Sequence, residues 1–341
     1  MRGRLKQAAW AVLAILVAVI LTQSTWWDTN QTVFAQAVVS GLLIGGVYAL
    51  VAMGLSLVFG VLDIINFAHG ALMTIAIYAS YLLFDNYGID PYVSLLITIP
   101  LLFVIGVGIQ RYAINPVMDA PIHNQLLLTL GIAIVIENLA LVLFTGTPRS
   151  IELAYARNEF DLGLFTLDFP IKVFGAVVTL PKLIAFLVAL LLAGAIYVLI
   201  HRTQLGAAIR AAAQEPEGAE MVGIDVRRIY TITFGIGAAC VGAAGALVMP
   251  FLFVSPTAGA TFNIIAFIVV VLGGMGSQIG VVFAATLLIG LPEFFRELQQ
   301  YRMLAFGAAM VTIMVWRPRG LLAQREPTIR MSQGPPAEER G

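Results

Sequence analysis

The chain has 341 residues and zero formal net charge, with 60% hydrophobic and 11% charged side chains and a mean hydropathy of +0.94. A soluble domain carries about 25% charged residues, so the composition excludes a soluble globular protein and points to a polytopic helical membrane protein. Its apolar runs are continuous rather than alternating, which excludes a transmembrane β-barrel, and its balanced charge offers no footprint for nucleic acid.

A helix needs about 20 apolar residues to cross the hydrocarbon core. In chain order the candidate crossings are 8–22, 33–60, 66–84, 92–113, 123–145, 181–200, 229–250, 263–277, 279–295 and 302–316. The expected fold class is therefore all-α, with about ten transmembrane helices. Residues 1–32 read as an N-terminal extension holding a short hydrophobic helix. The run MRGRLKQ ahead of it fits either a retained anchor or a secretory signal, whose nearest small-residue cleavage pattern is Ala35-Gln36-Ala37. Both readings leave 23–32 outside, with Trp26 and Trp27 at an interfacial aromatic belt.

The second crossing is interrupted by Gly45-Gly46 and the eighth by Gly273-Gly274-Met275-Gly276. Paired glycine-broken segments in the two halves of a chain are the pattern of transporters whose pathway lies at the breaks, although small residues also let helices pack closely. Gly45, Gly46, Gly273, Gly274 and Gly276 are accordingly candidates for a pathway or gate. Asp63, Asn66 and His69 cluster after the second crossing. Asn66 suits an N-cap of the third, and Asn66 with His69 is also a candidate for a gate. Glu137 and Asn138 fall inside the fifth crossing, where a carboxylate costs about 3 kcal/mol and is expected to face the bundle interior. Gln36 and Asn263 are weaker cases of the same kind. The lone cysteine, Cys240, lies in an apolar run and is expected to be a packed thiol.

Positive loops stay in the cytoplasm. Arg2, Arg4 and Lys6, then Arg202, Arg210, Arg227 and Arg228, then Arg317, Arg319, Arg325, Arg330 and Arg340 fall on one side of a ten-helix bundle. Both termini are then cytoplasmic (the N-terminus outside if the first segment is cleaved), and the 146–180 loop is external. The tail 324–341 is polar, with proline and glycine, and is expected to be disordered.

The three lysines follow Leu5, Ile171 and Pro181, so none sits in a P-loop. No HExxH, CxxC or GxSxG occurs, and His69, His123 and His201 are scattered. The sequence therefore gives neither a catalytic constellation nor a metal site.

The loop 201–228 is a charged segment between apolar runs. Leu205 to Gln214 is alanine-rich and suits a helix. Pro216 suits the first position of a second helix, with Glu215, Glu217 and Glu220 near its positive end and Gly223 as its stop. Bulky apolar residues and many cations would mark a lipid anchor. Alanine and balanced charge instead suit docking into a groove on a partner, with Arg210 or Glu215 fixing the register.

The segment RTQLGAAIRAAAQEPEGAEMVGI (202–224) resembles the coupling loop of ABC-importer permeases for branched-chain amino acids. GLLIGGVYALVAMGLSLVFGVLDIINFAHGALMTIAIYAS (41–80) is similar to the N-terminal signature of the H-type subunit of that family, FIVVVLGGMGSQIGVVFAATLLIG (267–290) to its second glycine-rich break, and RPRGLLA (317–323) to its C-terminal end. The resemblance covers roughly 33–323 and implies a permease domain there. It also implies a second related permease, two ABC ATPase subunits, a periplasmic substrate-binding protein and an inner-membrane location. It makes Arg202, Gly206, Arg210, Gln214, Glu215 and Gly223 the candidate ATPase-coupling positions. No cofactor is implied on this chain, since ATP is used by the partners. The implied substrate is Leu, Ile or Val, with urea and short-amide permeases similar through the same motifs. An ion-coupled transporter, with Glu137 as its ion site, and a passive channel remain the readings outside this family.

Overall fold

The computed structural model describes residues 31–294, with gaps at 152, 154–158, 162–165, 169–170 and 174–175, and the positions 307, 310, 311 and 315 beyond. Ten helices run through this region: α1 (Gln31–Leu62), α2 (Ala68–Tyr87), α3 (Pro91–Ile109), α4 (Ile122–Phe144), α5 (Leu180–Arg202), α6 (Gln204–Gln214), α7 (Pro216–Met221), α8 (Val226–Val248), α9 (Ala258–Gly273) and α10 (Gln278–Phe294). Between α4 and α5 lie two short antiparallel hairpins, β1 (Glu159–Asp161) with β2 (Thr166–Asp168) and β3 (Ile171–Val173) with β4 (Ala176–Val178). The predicted first crossing, the cleavage-or-anchor question, nearly all of the last crossing and the C-terminal tail lie outside the described residues.

Five stretches among the described residues are long and apolar enough to cross a membrane: Val38–Leu62, Pro91–Val117, Ile122–Phe144, Leu180–Arg202 and Val226–Val248. A sixth is the pair α9–α10, bent by 120°. The ninth and eighth predicted crossings are thus two arms of one bent unit, and the count of ten crossings is not reproduced among the described residues. The third predicted crossing is α2, which holds His69, Thr74 and Ser80 fully buried. A helix enclosed by other helices need not present an apolar face to lipid.

Burial sorts the helices into a centre and a rim. The apolar windows of α1 and α8 are 72% and 78% buried, against 28%, 17% and 22% for the spans of α3, α4 and α5. Leucines of the rim face outward, as at Leu127, Leu139, Leu143, Leu190 and Leu191. At the centre, small residues bring backbones together. A Cβ at Gly54 would lie 2.8 Å from the Cβ of Cys240. One at Gly237 would lie 2.5 Å from a methyl of Val58, and one at Gly245 would lie 2.6 Å from Ala76. Lipid gives no hydrophobic drive for helices to associate, so close van der Waals approach of small residues has to supply it. Cys240 is buried, as expected, and its thiol donates to the Ile236 carbonyl at 3.1 Å.

The expected break at Gly45-Gly46 is absent, because α1 runs unbroken from Gln31 to Leu62. The two glycines serve packing. A Cβ at Gly45 would sit 3.2 Å from Thr286 Cα on α10, and one at Gly46 would sit 2.6 Å from the Phe186 ring on α5. The break in this half comes later, at residues 63–67. His69, in the first turn of α2, lies 2.9 Å by its Nε2 from the Val51 carbonyl. Val51 is eleven residues before the end of α1, about 16 Å along the helix axis. The chain therefore turns at Asp63, with φ 55°, and climbs back along α1 before α2 begins. Its freed backbone groups are paired inside the protein, as membrane depth demands. Thr129 Oγ1 on α4 donates to the Ile65 carbonyl (3.1 Å) and accepts from Phe67 N–H (3.3 Å). Asn66 Oδ1 accepts from Ala68 N–H at 3.0 Å in a local turn, but the N-cap position itself is Phe67, so the expected N-cap at Asn66 falls one residue early. Asn66 and His69 do not share a helix face, because Asn66 lies ahead of the helix.

The second break, at residues 274–277, joins α9 to α10 and contains two of the predicted glycines, Gly274 and Gly276, with Gly273 as the last residue of α9. The α2–α9 contact is tighter still: a Cβ on either Gly70 or Gly259 would overlap the carbonyl of the other. Gly259→Val should therefore lower the thermal survival of the detergent-solubilised protein, as measured by fluorescence-detected size exclusion, since overpacking costs about 1–3 kcal/mol. Gly194→Val, at a position with nothing within 4 Å, should leave it unchanged.

Candidate functional site

The loop 201–228 folds into the expected helix–turn–helix, α6 and α7, bent back against the end of α5. The last carbonyls of a helix have no partner within it, and here side chains supply them. The Thr203 hydroxyl donates to the Leu199 carbonyl at 2.6 Å and accepts from Gly206 N–H at 3.0 Å, so one residue closes α5 and caps α6. His201 Nδ1 lies 3.0 Å from the Tyr197 carbonyl, and its ring stacks on that tyrosine at 4.1 Å between centroids. The Arg210 guanidinium, one helix on, reaches back and donates to the Ile200 carbonyl, where a cation is also favoured by the helix dipole. Gly206 is buried against this end, and a Cβ there would overlap the Leu199 and Ile200 carbonyls. The result is an elbow with no slack between α5 and α6.

Pro216 opens α7, as expected, with Glu217 in its first turn. Gly223 ends it with φ +88°, a conformation that glycine takes without strain. Asp225 then caps α8 by accepting from Arg228 N–H at 3.0 Å. Arg202, Gln214, Glu215, Glu217 and Glu220 are exposed. So are two apolar residues at the tip, Met221 at 84% and Val222 at 77%. These two side chains and the acids beside them are left uncovered by the rest of the described bundle.

Above α6 lies a half-open cavity of about 270 Å³ between the ends of α1 and α5 and the 274–277 turn. Arg210, Gln214 and Gly276 line it, together with Ser56, Met275 and Gln278. Gly276, at φ +78°, points its N–H at Ser56 Oγ, 3.1 Å away on α1. The Gln278 side chain is 7% exposed, and its Oε1 has no hydrogen-bond partner. Gly273 packs on Gly280, with 2.6 Å from its would-be Cβ to the Gly280 carbonyl carbon.

The structure thus gathers part of each predicted set at one place: Arg210 and Gln214 from the loop, Gly276 from the break. It keeps the others apart. Gly45 and Gly46 are packing contacts on α1. Asn66 and His69 sit deeper, at the start of α2; His69 is fully buried, with its Nδ1 unpartnered. Glu137 is half-buried on the rim helix α4, and neighbouring Asn138 is exposed, its Nδ2 donating to the Ile134 carbonyl at 2.8 Å. Glu137 lies on the stripe of α4 that carries the buried Ala133 and Ala140, so it is on the side turned to the bundle without being enclosed by it. Gln36 donates to Ser40 Oγ at 2.8 Å, and Asn263 donates to the Phe67 carbonyl at 3.2 Å. Sequence reading missed the Met221–Val222 tip and the cavity-lining Ser56 and Gln278. The tip had a signal, bulky apolar residues at the end of a short acidic helix; Ser56 and Gln278, 222 residues apart, had none.

Loss of the elbow's side chains should free α6 locally. Thr203→Ala removes a cap worth about 1 kcal/mol, which is about fivefold in local opening. Hydrogen exchange over 204–214 should speed up by that factor in Thr203→Ala and again in Arg210→Met, with exchange in α8 unchanged.

Residues 37–314 match the family described as branched-chain amino acid transport system, permease component. The chain is 29% identical over 306 residues to the high-affinity branched-chain amino acid transport system permease protein BraD of Pseudomonas aeruginosa, covering 86% of this chain and 97% of that protein. It is 28% identical over 305 residues to the corresponding protein LivH of Escherichia coli, covering 86% and 96%. It is 31% identical over 307 residues to LivM of Escherichia coli, covering 84% and 70%. No solved structure matches the chain significantly. With a family match over most of its length and a glycine-packed, multi-pass helical bundle behind it, this chain belongs to the permease component family of branched-chain amino acid transport systems.

Proposed function

We propose that this chain is the membrane-spanning permease subunit of an ATP-driven importer of branched-chain amino acids. The observation that carries the reading is the family match over 37–314, and the α6–α7 elbow gives it a mechanical basis. The chain pairs with a second, related permease; relatives of both the LivH and LivM kind resemble it. Two ATPase subunits bind from the cytoplasm and a periplasmic binding protein delivers substrate. The N- and C-termini and the elbow lie on the cytoplasmic side of the inner membrane, residues 1–32 form an extension outside the permease domain, and 324–341 form a tail.

Nucleotide-driven closure of the ATPases moves α6–α7, and the clamped elbow passes that movement to α5. The exposed surface of Glu215, Glu217, Met221 and Val222 is the part that meets the ATPase. Arg210 is turned inward onto Ile200, so it serves the transmission rather than the docking. Gly223 and the α7 turn hold the tip at a fixed distance from the membrane. Substrate passes by alternating access, with the 274–277 turn and the segment before α2 as the bending elements. Among the described residues no Asp, Glu, Lys or Arg is buried, which speaks against ion coupling through intramembrane charges.

The test is uptake of radiolabelled leucine by cells expressing the whole complex, with and without this chain. Uptake that depends on the chain and stops on ATP depletion, but not on collapse of ion gradients alone, is the expected result. Met221→Asp with Val222→Asp should abolish both uptake and copurification of the ATPase, while the permease still inserts. Retention of the ATPase in that double variant would remove the tip from the docking surface.

A further inference from the structure

The end of the bundle away from the elbow is held by one arginine. α8 starts beside α7 and carries the chain about 34 Å along its 23 residues, to the segment 249–257 that leads into α9. Val254 in that segment is 1% exposed. Its N–H donates to the Arg149 carbonyl at 2.7 Å, and its carbonyl accepts from the Arg149 N–H at 2.9 Å. The Arg149 side chain then turns back. Its guanidinium donates to the Phe144 carbonyl at the open end of α4, at 3.0 Å, and lies 5.5 Å from the centre of the Tyr81 ring on α2. The Phe144 ring stacks on Tyr78 of α2, with centroids 4.1 Å apart. Backbone and side chain of one residue thus join α4, α2 and the segment before α9. Two features beside these contacts are unfavourable in themselves. Thr145 sits at φ 65° and ψ 173°, a region that essentially only glycine takes without strain. The Tyr78 hydroxyl is buried with no hydrogen-bond partner among the described residues, and an orphaned buried group carries its full desolvation penalty. Lifting the stretch 144–149 off α2 relieves both, since Thr145 relaxes and water reaches Tyr78.

We propose that Arg149 is a latch, which holds the 249–257 segment shut against α2 and α4 in this structure and releases it when the pathway opens at that end. The latch rests on the permease reading above, in which this end faces outside and ATP drives the change of access. Arg149 is a positioning residue, acting through the segment it holds. The latch is poised by construction. A guanidinium closes it through one carbonyl and one ring face, while the strained Thr145 and the orphaned Tyr78 hydroxyl oppose it. A small bias therefore moves the balance between the two arrangements. The held segment also leads straight into α9. Gly259, in the first turn of α9, donates its N–H to Thr74 Oγ1 on α2 at 3.2 Å. The same helix ends at the 274–277 turn, which lines the cavity above α6. Latch and glycine turn stand at the two ends of α9, so release at one and bending at the other are parts of one movement.

The experiment uses the assembled complex in lipid nanodiscs with a single reporter thiol. Cys240 is buried and is replaced by serine, and Val254→Cys supplies the reporter. Its reaction with a charged methanethiosulfonate reagent is timed without nucleotide and after trapping with ATP and vanadate. Without nucleotide, Arg149→Gln should label about tenfold faster, the loss of a hydrogen bond from a charged group. Arg149→Lys, which keeps the cation, should restore part of the protection. Thr145→Gly should label about threefold more slowly, the strain relieved in the shut form less the extra freedom of glycine in the open one. These opposite signs separate a latch from a residue that only stabilises the fold. Trapping should speed labelling where Arg149 is present and change it little in Arg149→Gln, whose latch is already open. Met249→Cys, at a position 1% exposed beyond α8, is the reporter if Val254→Cys does not assemble. Equal labelling with Arg149, Arg149→Gln and Thr145→Gly overturns the latch, as does a response to trapping that is the same with and without Arg149. ATP-driven leucine uptake by the unmodified complex alongside either result leaves the permease reading standing. The two opposite shifts without nucleotide, together with no response to trapping and no uptake, keep the latch and overturn the importer reading.

Discussion

Hydrocarbon offers no partner to a backbone group released from a helix, and three departures from helix in this bundle are closed by named side chains. Thr129 and Asn66 close the climb at 63–67. Ser56 closes the turn at 274–277. Thr203, His201 and Arg210 close the end of α5. Thr129, Ser56 and Arg210 come from other elements, and they therefore fix where each break sits relative to the rest of the bundle. Thr129 lies on α4, Ser56 on α1 and Arg210 on α6. A break so held is a defined joint, and the joints connect parts of the chain that would otherwise touch only through apolar packing.

That packing follows from the same solvent. Helices in lipid gain little from burying leucine, so the closest contacts at the centre are made by glycine, alanine and serine, with larger side chains such as Leu50, Leu72, Phe234 and Leu247 filling the space between them. Ala185, Ala189 and Ala193 form the buried stripe of α5, and α8 buries Gly235, Gly237, Gly242 and Gly245 among its contacts. The two arrangements depend on each other. Backbones at van der Waals distance leave no room for water, so a break between them must be satisfied by protein alone, and short hydroxyl and amide side chains are the ones that fit.

The helical class, most helix positions and the α6–α7 elbow with its proline start and glycine stop were legible in the sequence, because hydropathy and turn chemistry are local signals. So was the break at 274–277, whose glycines carry positive φ. Gly45-Gly46 misled because one residue type serves two ends: a glycine that permits a break and a glycine that permits contact read alike until the neighbours, Thr286 and Phe186, are known. The break at 63–67 was hidden for the opposite reason. Its backbone is held by Thr129, more than 60 residues away, and nothing within the segment announces that partner. Glu137 stands on the stripe of α4 that also carries Ala133 and Ala140, half-buried rather than enclosed. The cavity, built from α1, α5, α6 and α10, was beyond any local reading.

The elbow and the cavity constrain each other in a way that bears on how movement travels. Gly206 leaves α6 no room to slide against the end of α5, and Arg210 ties the two together. α5 in turn rests on α1 through its alanine stripe and through Phe186 against Gly46. A displacement of α6 therefore has little compliance on the α5 side. The compliant side is the cavity, where empty volume separates α6 from the 274–277 turn. On the far side of that volume the turn has two glycines at positive φ and is held to α1 by the Gly276–Ser56 bond and by the close approach of Gly60 to Gly276. In a close-packed interior strain concentrates where packing is incomplete, and in this bundle that place lies between the elbow and the glycine turn.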